Sequence, residues 1–427
     1  MKLAKLSLAA LMTVGALTSL NAADTLADAF KNGKLKGTLE AWYWDRDVAA
    51  ANEHEGLLAV GVKLNYITDT LYGFNLGVTA QSSNSPFASA EAKQAGMPNT
   101  AVFGNDQYGT GTVLSEAYVG YSMDKTKIKV GRQFIMTPLI AGSPNRIITQ
   151  SFEGATLINT NLPQTMIFAG YINKYQNRTN LAGSVAEFTN NFWSASPLPG
   201  ATGAISGVTN KSWASVDGEG YSLMAVNQSI PALKLTAQWL GISDVANIYY
   251  TEAAYSGKAA SFTYGLSGQY QITDFDSYIT SKDSGYYGLK ASLGMGDFKS
   301  YVAYSEINDD MTAVPGLGGG PYGTLYTTQI FLNPGHFNAG AKAYAIDANY
   351  NFKSLGLLTG IRYSNVDIPV GPGSNAAYEI DFTTLYAKYN FAGALKGLSV
   401  DVGYENGDYS KDSSDTQELR FNVNYNF

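Results

Sequence analysis

The sequence predicts an all-β fold: a transmembrane antiparallel β-barrel, most economically of eighteen strands, with long extracellular loops on one rim and short periplasmic turns on the other. Three observations carry this. Units of about ten residues with alternating apolar and polar side chains recur along the chain, the length at which a tilted strand crosses a bilayer. The links between these units alternate long and short. After the first two dozen residues no run of about 18 or more apolar residues exists, which excludes a helical span.

The elements follow in order. The N-terminus reads MKLAKLSLAALMTVGALTSLNAAD: two lysines, an apolar stretch from Leu6 to Leu20, then small residues. This is the pattern of a signal peptide, residues 1–23, cut after Ala22 or Ala23. Residues 24–34 are then a short periplasmic segment and 35–427 a single barrel domain, since no Pro-rich or charge-rich hinge divides the chain. Strands are expected at 35–44, 57–66, 72–81, 113–122, 126–133, 151–159, 164–173, 219–228, 232–241, 246–255, 261–270, 285–294, 297–306, 343–352, 357–366, 381–390, 397–406 and 417–426. The clearest long links are 82–112, 134–150, 174–218 and 307–342, each after an odd-numbered strand. Those after even-numbered strands are short: ITDTL, MDK, NTNLP, SIP, MGD, KSLG and AGALK. Only ISDV, after the ninth, is shorter than its parity predicts. A soluble sandwich has no reason to sort its links by parity, whereas an outer-membrane barrel does.

Face assignment agrees. A period of two puts Leu58, Val60, Val62, Leu64 and Tyr66 on one face of the second strand, Phe74, Leu76 and Val78 on one face of the third, and Leu398, Val400, Val402 and Tyr404 on one face of the seventeenth. The opposite faces hold Lys63, Asn65, Asn75, Thr79, Gln81, Asp401, Glu405, Glu418 and Arg420. A dry core could not take so many charges, whereas a water-filled lumen leaves them solvated. Arg132 breaks the pattern: if Ile128 and Val130 face lipid, so does Arg132, unless it sits at the rim or a bulge turns it. The final stretch, LRFNVNYNF, alternates cleanly. It is expected to close the barrel, with Tyr425 and Phe427 as the signal read by the barrel-insertion machinery.

Composition fits this class. Charged residues are 15%, and there are 45 Gly, 30 Tyr and no Cys. Tyrosine in excess suits interfaces where a ring lies in apolar surroundings and its hydroxyl in water. The net charge of −7 becomes −9 once Lys2 and Lys5 leave with the signal peptide. With no basic stripe, that argues against nucleic acid and predicts a weak cation preference.

At KVGRQ (129–133) and PNRIITQSFEGATL (144–157) the sequence resembles the OprD-type outer-membrane porins, the major porins of epsilonproteobacteria among them. The segments that carry the likeness are Gly131-Arg132-Gln133, Arg146-Ile147-Ile148 and Ser151-Phe152-Glu153-Gly154, with DAFKNGKLKGTLEAWYWDRD (28–47) and the last strand. The resemblance implies a pore narrowed by an inward-folded third loop, here 134–150, whose apolar residues and Pro138 and Pro144 fit it for packing inside. Arg146 would face the eyelet, or else anchor an ordinary surface loop. It also implies a basic ladder on one wall. The inward candidates are Lys63, Lys234, Lys290, Arg362, Lys388 and Arg420, scattered among Glu40, Asp347, Asp401, Glu405 and Glu418.

The expected function is passive diffusion of ions and small hydrophilic solutes across the outer membrane, in contact with its lipid, with a homotrimer as one assembly open to it. The alternative is surface recognition through loops 82–112 and 174–218. No catalytic constellation, cofactor site or metal site is expected. His54 and His336 fall in predicted extracellular loops, and GLGGGPYG (316–323) lacks the lysine and helix of a phosphate cradle and reads as a mobile loop. Asp408, Asp412 and Asp415 read as a solvated tip rather than a calcium loop.

Overall fold

The computed structural model describes residues 23–49, 53–88, 109–180, 184–190, 218–277, 282–331, 335–371, 374–410 and 414–427. Residues 1–22, nearly all of the expected signal peptide, and much of loops 82–112 and 174–218 lie outside these.

A helix, α1 (Leu26–Lys31), is followed by β1 (Lys34–Val48), β2 (Glu53–Ile67), β3 (Phe74–Ala88), β4 (Gly111–Met123), β5 (Thr126–Gln133), β6 (Ser151–Asn159) and β7 (Thr165–Gln176). A two-residue strand, β8 (Phe188–Thr189), precedes β9 (Gly220–Asn227), β10 (Leu233–Ile242), β11 (Ala246–Ala259), β12 (Phe262–Phe275), β13 (Ser284–Met295) and β14 (Phe298–Ile307). The chain ends with β15 (Lys342–Phe352), β16 (Leu357–Ile368), β17 (Tyr378–Asn390), β18 (Leu398–Tyr409) and β19 (Thr416–Asn426). All are antiparallel to their neighbours, β7 pairs directly with β9, and β1 pairs with both β2 and β19. Leaving out β8, a flap on the end of β7, the result is a closed ring of eighteen strands, each at a place where the sequence predicts one.

The two rims differ. Each of the eight tight turns on one rim holds a residue in the left-handed region, which reverses the chain within a few residues: Tyr72, Asp124, Gln164, Ala232, Ala260, Gly296, Gly356 and Gly397. The link after the ninth predicted strand is a tight turn too, with Asp244 at φ 57°, on the opposite rim. The first long link shrinks to residues 49–52 because β1 and β2 each run to 15 residues. Residues 24–34 do not stay extended: Thr25 caps α1 by accepting from Asp28 N at 3.1 Å. The helix docks under the β2–β3 turn, where Asp69 N donates to Ala29 O at 2.8 Å.

Side chains alternate as predicted. Leu64, Phe74, Leu76, Val78, Val402, Tyr404, Leu419 and Phe421 project outward and exposed, while Thr79, Gln81, Glu405, Glu418 and Arg420 point inward and are buried. Outward aromatic pairs form two girdles. The turn-side girdle includes Phe74–Tyr121, Tyr350–Phe352 and Tyr389–Phe391; the loop-side girdle includes Tyr171–Tyr221, Tyr287–Tyr304 and Tyr344–Tyr363. In the second, phenolic hydroxyls donate to carboxylates. Tyr171 and Tyr221 hold Glu219 at 2.9 and 2.6 Å, and Tyr287 and Tyr304 hold Glu306 at 2.7 and 2.9 Å. Apolar ring and wetted hydroxyl thus separate across an interface.

The terminal phenylalanine sits at the closing seam. Gly37 and Phe427 exchange two backbone hydrogen bonds of 3.0 Å each, and the Phe427 ring lies where a Cβ on Gly37 would be. Tyr425 stacks on it with centroids 6.0 Å apart. Deleting Phe427 is expected to cost about 1–3 kcal/mol through those two bonds and to lower the share of protein that runs as the compact, heat-modifiable species on an unboiled gel. An unchanged share would show that the seam closes without it.

Candidate functional site

A ring of eighteen strands encloses more space than its own side chains fill. Two links fold into that space. The first is 134–150, as expected. At one end Leu139 N donates to Gln238 Oε1 on β10 at 3.0 Å, and Gln238 Nε2 donates to Thr137 Oγ1 at 2.8 Å. At the other, Ile147 and Ile148 pack on Trp42, Trp44, Leu57 and Ala59 of β1 and β2, and Thr149 N donates to Gln81 Oε1 on β3 at 3.0 Å. The link thus reaches from the β1–β3 wall to β10. Ile135, Leu139 and Ile140 are buried against Phe152, Phe168, Leu240 and Ile248, each burial worth about 1.5–3 kcal/mol.

The second inward link, 308–341, corrects the sequence reading of an outer loop. Met311, Val314 and Leu317 join the same apolar cluster, while Ala313, Leu325 and Phe337 pack on Val366, Ile368, Ile380 and Phe382 of β16 and β17. His336 is buried there, its ring 5.8 Å from that of Phe382. The stretch GLGGGPYG is not a mobile tip. It pairs with the first link: Ala141 N donates to Leu317 O at 3.1 Å, Leu317 N to Leu139 O at 2.8 Å and Gly320 N to Ala141 O at 2.9 Å. Its glycines allow that approach. Gly316 and Gly318 hold φ of +142° and +84°, and a Cβ on either would strike a carbonyl of the first link. Gln150, buried, ties the junction together. Its Oε1 accepts from Ser143 N at 3.1 Å and Gly319 N at 2.7 Å, and its Nε2 donates to Asn177 Oδ1 at 2.9 Å.

Among the described residues, four groups of charged side chains stand on the inner wall. In the first, Glu418 is clasped by Arg46, whose Nε donates at 2.7 Å, and by Arg420. Arg420 lies 4.3 Å over the Phe331 ring of the second link, Glu405 accepts from Phe331 N at 3.2 Å, and Arg146, half-buried, is an electrostatic neighbour of Glu418. In the second, Arg362 Nε donates to Asp347 at 3.0 Å and Arg362 NH1 to Thr328 O at 3.1 Å. Lys290 lies within electrostatic reach of both Arg362 and Lys234. Lys234 is 4.0 Å from Glu252, and Lys290 sits 4.0 Å over the Tyr326 ring. Burial first, then the nearby Glu252 carboxylate, push the Tyr326 phenol well above its ordinary value, so it stays neutral. In the third, Lys63 donates to Thr149 Oγ1 at 3.2 Å beside Glu40 and Glu116, with Lys129 next to Glu116 and to Lys127. In the fourth, Lys388 binds both oxygens of Asp401 at 2.7 and 2.9 Å.

The sequence named, without pairing them, both members of three pairs that the structure brings together, Arg362 with Asp347, Lys388 with Asp401 and Arg420 with Glu418. It missed Arg46, although extending the alternation of Trp42 and Trp44 two residues further reaches it. It also missed Gln150, Gln238 and the glycine junction, which carry no periodic signal.

Two outcomes follow. Gly316→Ala forces the two links apart at Leu139 O and is expected to raise single-channel conductance while the barrel still runs as a folded species; unchanged conductance would mean that the junction does not limit the opening. Glu418→Gln removes the carboxylate that Arg46 and Arg420 share, a cost of about 3–5 kcal/mol for a broken buried pair, read as a lower thermal unfolding midpoint in detergent.

Residues 34–427 match the family described as outer membrane porin, OprD family. A search of curated protein sequences found no match. Among solved structures, OccAB2 of Acinetobacter baumannii is similar with a TM-score of 0.74 at 21% identity, covering 94% of this chain and 99% of that one. OpdK of Pseudomonas aeruginosa, solved with vanillate, gives 0.74 at 17% identity over 93% and 99%. OccK2 (OpdF) of the same organism, in complex with glucuronate, gives 0.74 at 15% identity over 93% and 98%. With the family matched over nearly its whole length and a closed barrel of the same fold, this chain belongs to the OprD family of porins of the bacterial outer membrane.

Proposed function

We propose that the lumen is a passive diffusion path for small hydrophilic solutes, narrowed by links 134–150 and 308–341 and biased toward anions. The observation that carries the bias is the sign of the inner wall. In the first group Arg46, Arg146 and Arg420 face Glu405 and Glu418; in the second Lys234, Lys290 and Arg362 face Glu252 and Asp347; in the third Lys63, Lys127 and Lys129 face Glu40 and Glu116. Cations exceed anions by one in each, and the fourth group, Lys388 with Asp401, balances. This reverses the cation preference expected from net charge, because acids such as Glu219, Glu306 and Asp381 sit on the outer face with the tyrosine girdle. In a narrow path with low-dielectric walls, a surplus of a few charges is focused rather than screened. Lys63, Lys388 and Asp401 belong to the polar wall, with Arg146 at the first link beside Glu418.

Two structures of family members hold carboxylates, vanillate and glucuronate, and the same ligand class suits the Lys234–Lys290–Arg362 row. Family membership favours this reading over surface recognition by the long loops, and porins act as channels without catalysis. The signal peptide, the periplasmic placing of α1 and the reading of Tyr425 and Phe427 by the insertion machinery stand as part of the same proposal.

Single-channel recording of the detergent-folded protein in a planar bilayer under a salt gradient is the test. Steady openings with an anion-selective reversal potential are expected. Changing Lys234, Lys290 and Arg362 together to Gln removes three positive charges and should move the reversal potential toward cations. A folded barrel that never opens would overturn the channel reading, and cation selectivity in the native protein would overturn the bias.

A further inference from the structure

Arg132 is where strand alternation and lipid disagree. On β5, Val130 faces outward at 55% exposure, and Arg132 two residues on shares its face. The cross-strand register places it. Val130, Ala155, Tyr171 and Tyr221 form one lateral row, which joins Val130 to the loop-side tyrosine girdle, and Val130 lies near the loop-side end of β5, three residues before Gln133. Arg132, Glu153 and Lys174 form the next row across β5, β6 and β7, one step above that girdle. Side chains at this height meet headgroups rather than acyl chains.

The row carries a surplus of positive charge. Arg132 Nε donates to Glu153 Oε2 at 3.0 Å, and Lys174 Nζ to Glu153 Oε1 at 2.9 Å, so one carboxylate serves two cations. Both side chains remain open, at 35% and 41% exposure. The terminal nitrogens of Arg132 make one long bond, to Leu114 O at 3.4 Å. The Phe188 ring covers one face of the guanidinium at 4.3 Å and fixes its plane. Elsewhere along the described girdle tyrosine hydroxyls donate to the carboxylates Asp45, Glu219, Glu306 and Asp381, and Tyr404 to the Gln417 amide. Glu219, the nearest, is already held by two phenols.

We propose that Arg132 and Lys174 bind a phosphate on the headgroup of an outer-leaflet lipid. A planar guanidinium offers paired N–H donors that match phosphate oxygens, and an ammonium adds a point charge. Glu153 positions both cations, and β8 seals the guanidinium from behind. The site accounts for an arginine on the outer face and tethers the barrel to the leaflet on the β5–β7 side.

The test is native mass spectrometry of the full-length folded protein in detergent with diphosphoryl lipid A, the same lipid stripped of phosphate, and millimolar inorganic phosphate as competitor. Lipid adducts are expected on the native protein, falling about tenfold on loss of two charge-assisted bonds, whether through R132Q with K174Q or through dephosphorylation. R132K, which keeps the charge but loses the fork, should fall in between, and it decides the matter with the dephosphorylated lipid if the double variant does not fold. Adducts indifferent to the substitutions and to dephosphorylation would overturn the proposal. So would displacement by inorganic phosphate, which would assign the site to the free ion, or a double variant that alters oligomeric mass while keeping its lipid.

Discussion

Lipid offers no hydrogen-bond partner to a peptide group, and the ladder between β1 and β19 is what lets every other strand exist in it. Each of the two carries one neighbour from the chain order and needs a second. Pairing them leaves no edge. The alternating side chains are then free to be only half apolar, and the modest hydrophobicity of the chain is sufficient. The seam ends at Gly37 and Phe427, where a missing side chain and a terminal ring fill one space, the aromatic cover of a strand glycine.

Closure turns the usual arrangement inside out. The outer face is apolar but packs against solvent chains rather than protein. The close-packed core lies within the barrel, where the inward links cover the loop-side half of the wall. Thr137, Gln150 and Gln238 satisfy the backbone groups that such links bring into a buried place, the condition for irregular backbone in the interior. Two links that hydrogen-bond to one another make a stiffer partition than either alone, so the width of the path is a property of their junction.

Charge is sorted by the same geometry. Acids on the outer face accept from tyrosine hydroxyls near one rim, while the inner wall holds paired charges with a small cationic excess. On the proposed reading, a chain acidic by count surrounds a path of the opposite sign.

Much of this was legible in the sequence. Period-two alternation located all eighteen barrel strands, since a strand with one face in lipid and one toward water must alternate, and link parity gave the two rims. The ends of β5 and β6 were read to the residue, because turn or link residues bound them closely. The sequence could not show how far β1 and β2 run beyond the bilayer, since polar stretches there carry no constraint from lipid. Nor did it show the second inward link: glycines that admit a close backbone look the same in a sequence as glycines of a mobile tip. Individual bases and acids of the wall could be named from register, but which of them meet, and that Arg132 stands on the outer face beside Glu153 and Lys174, depends on strand stagger around a closed ring. That stagger is set by long-range pairing, and only the tertiary structure decides it.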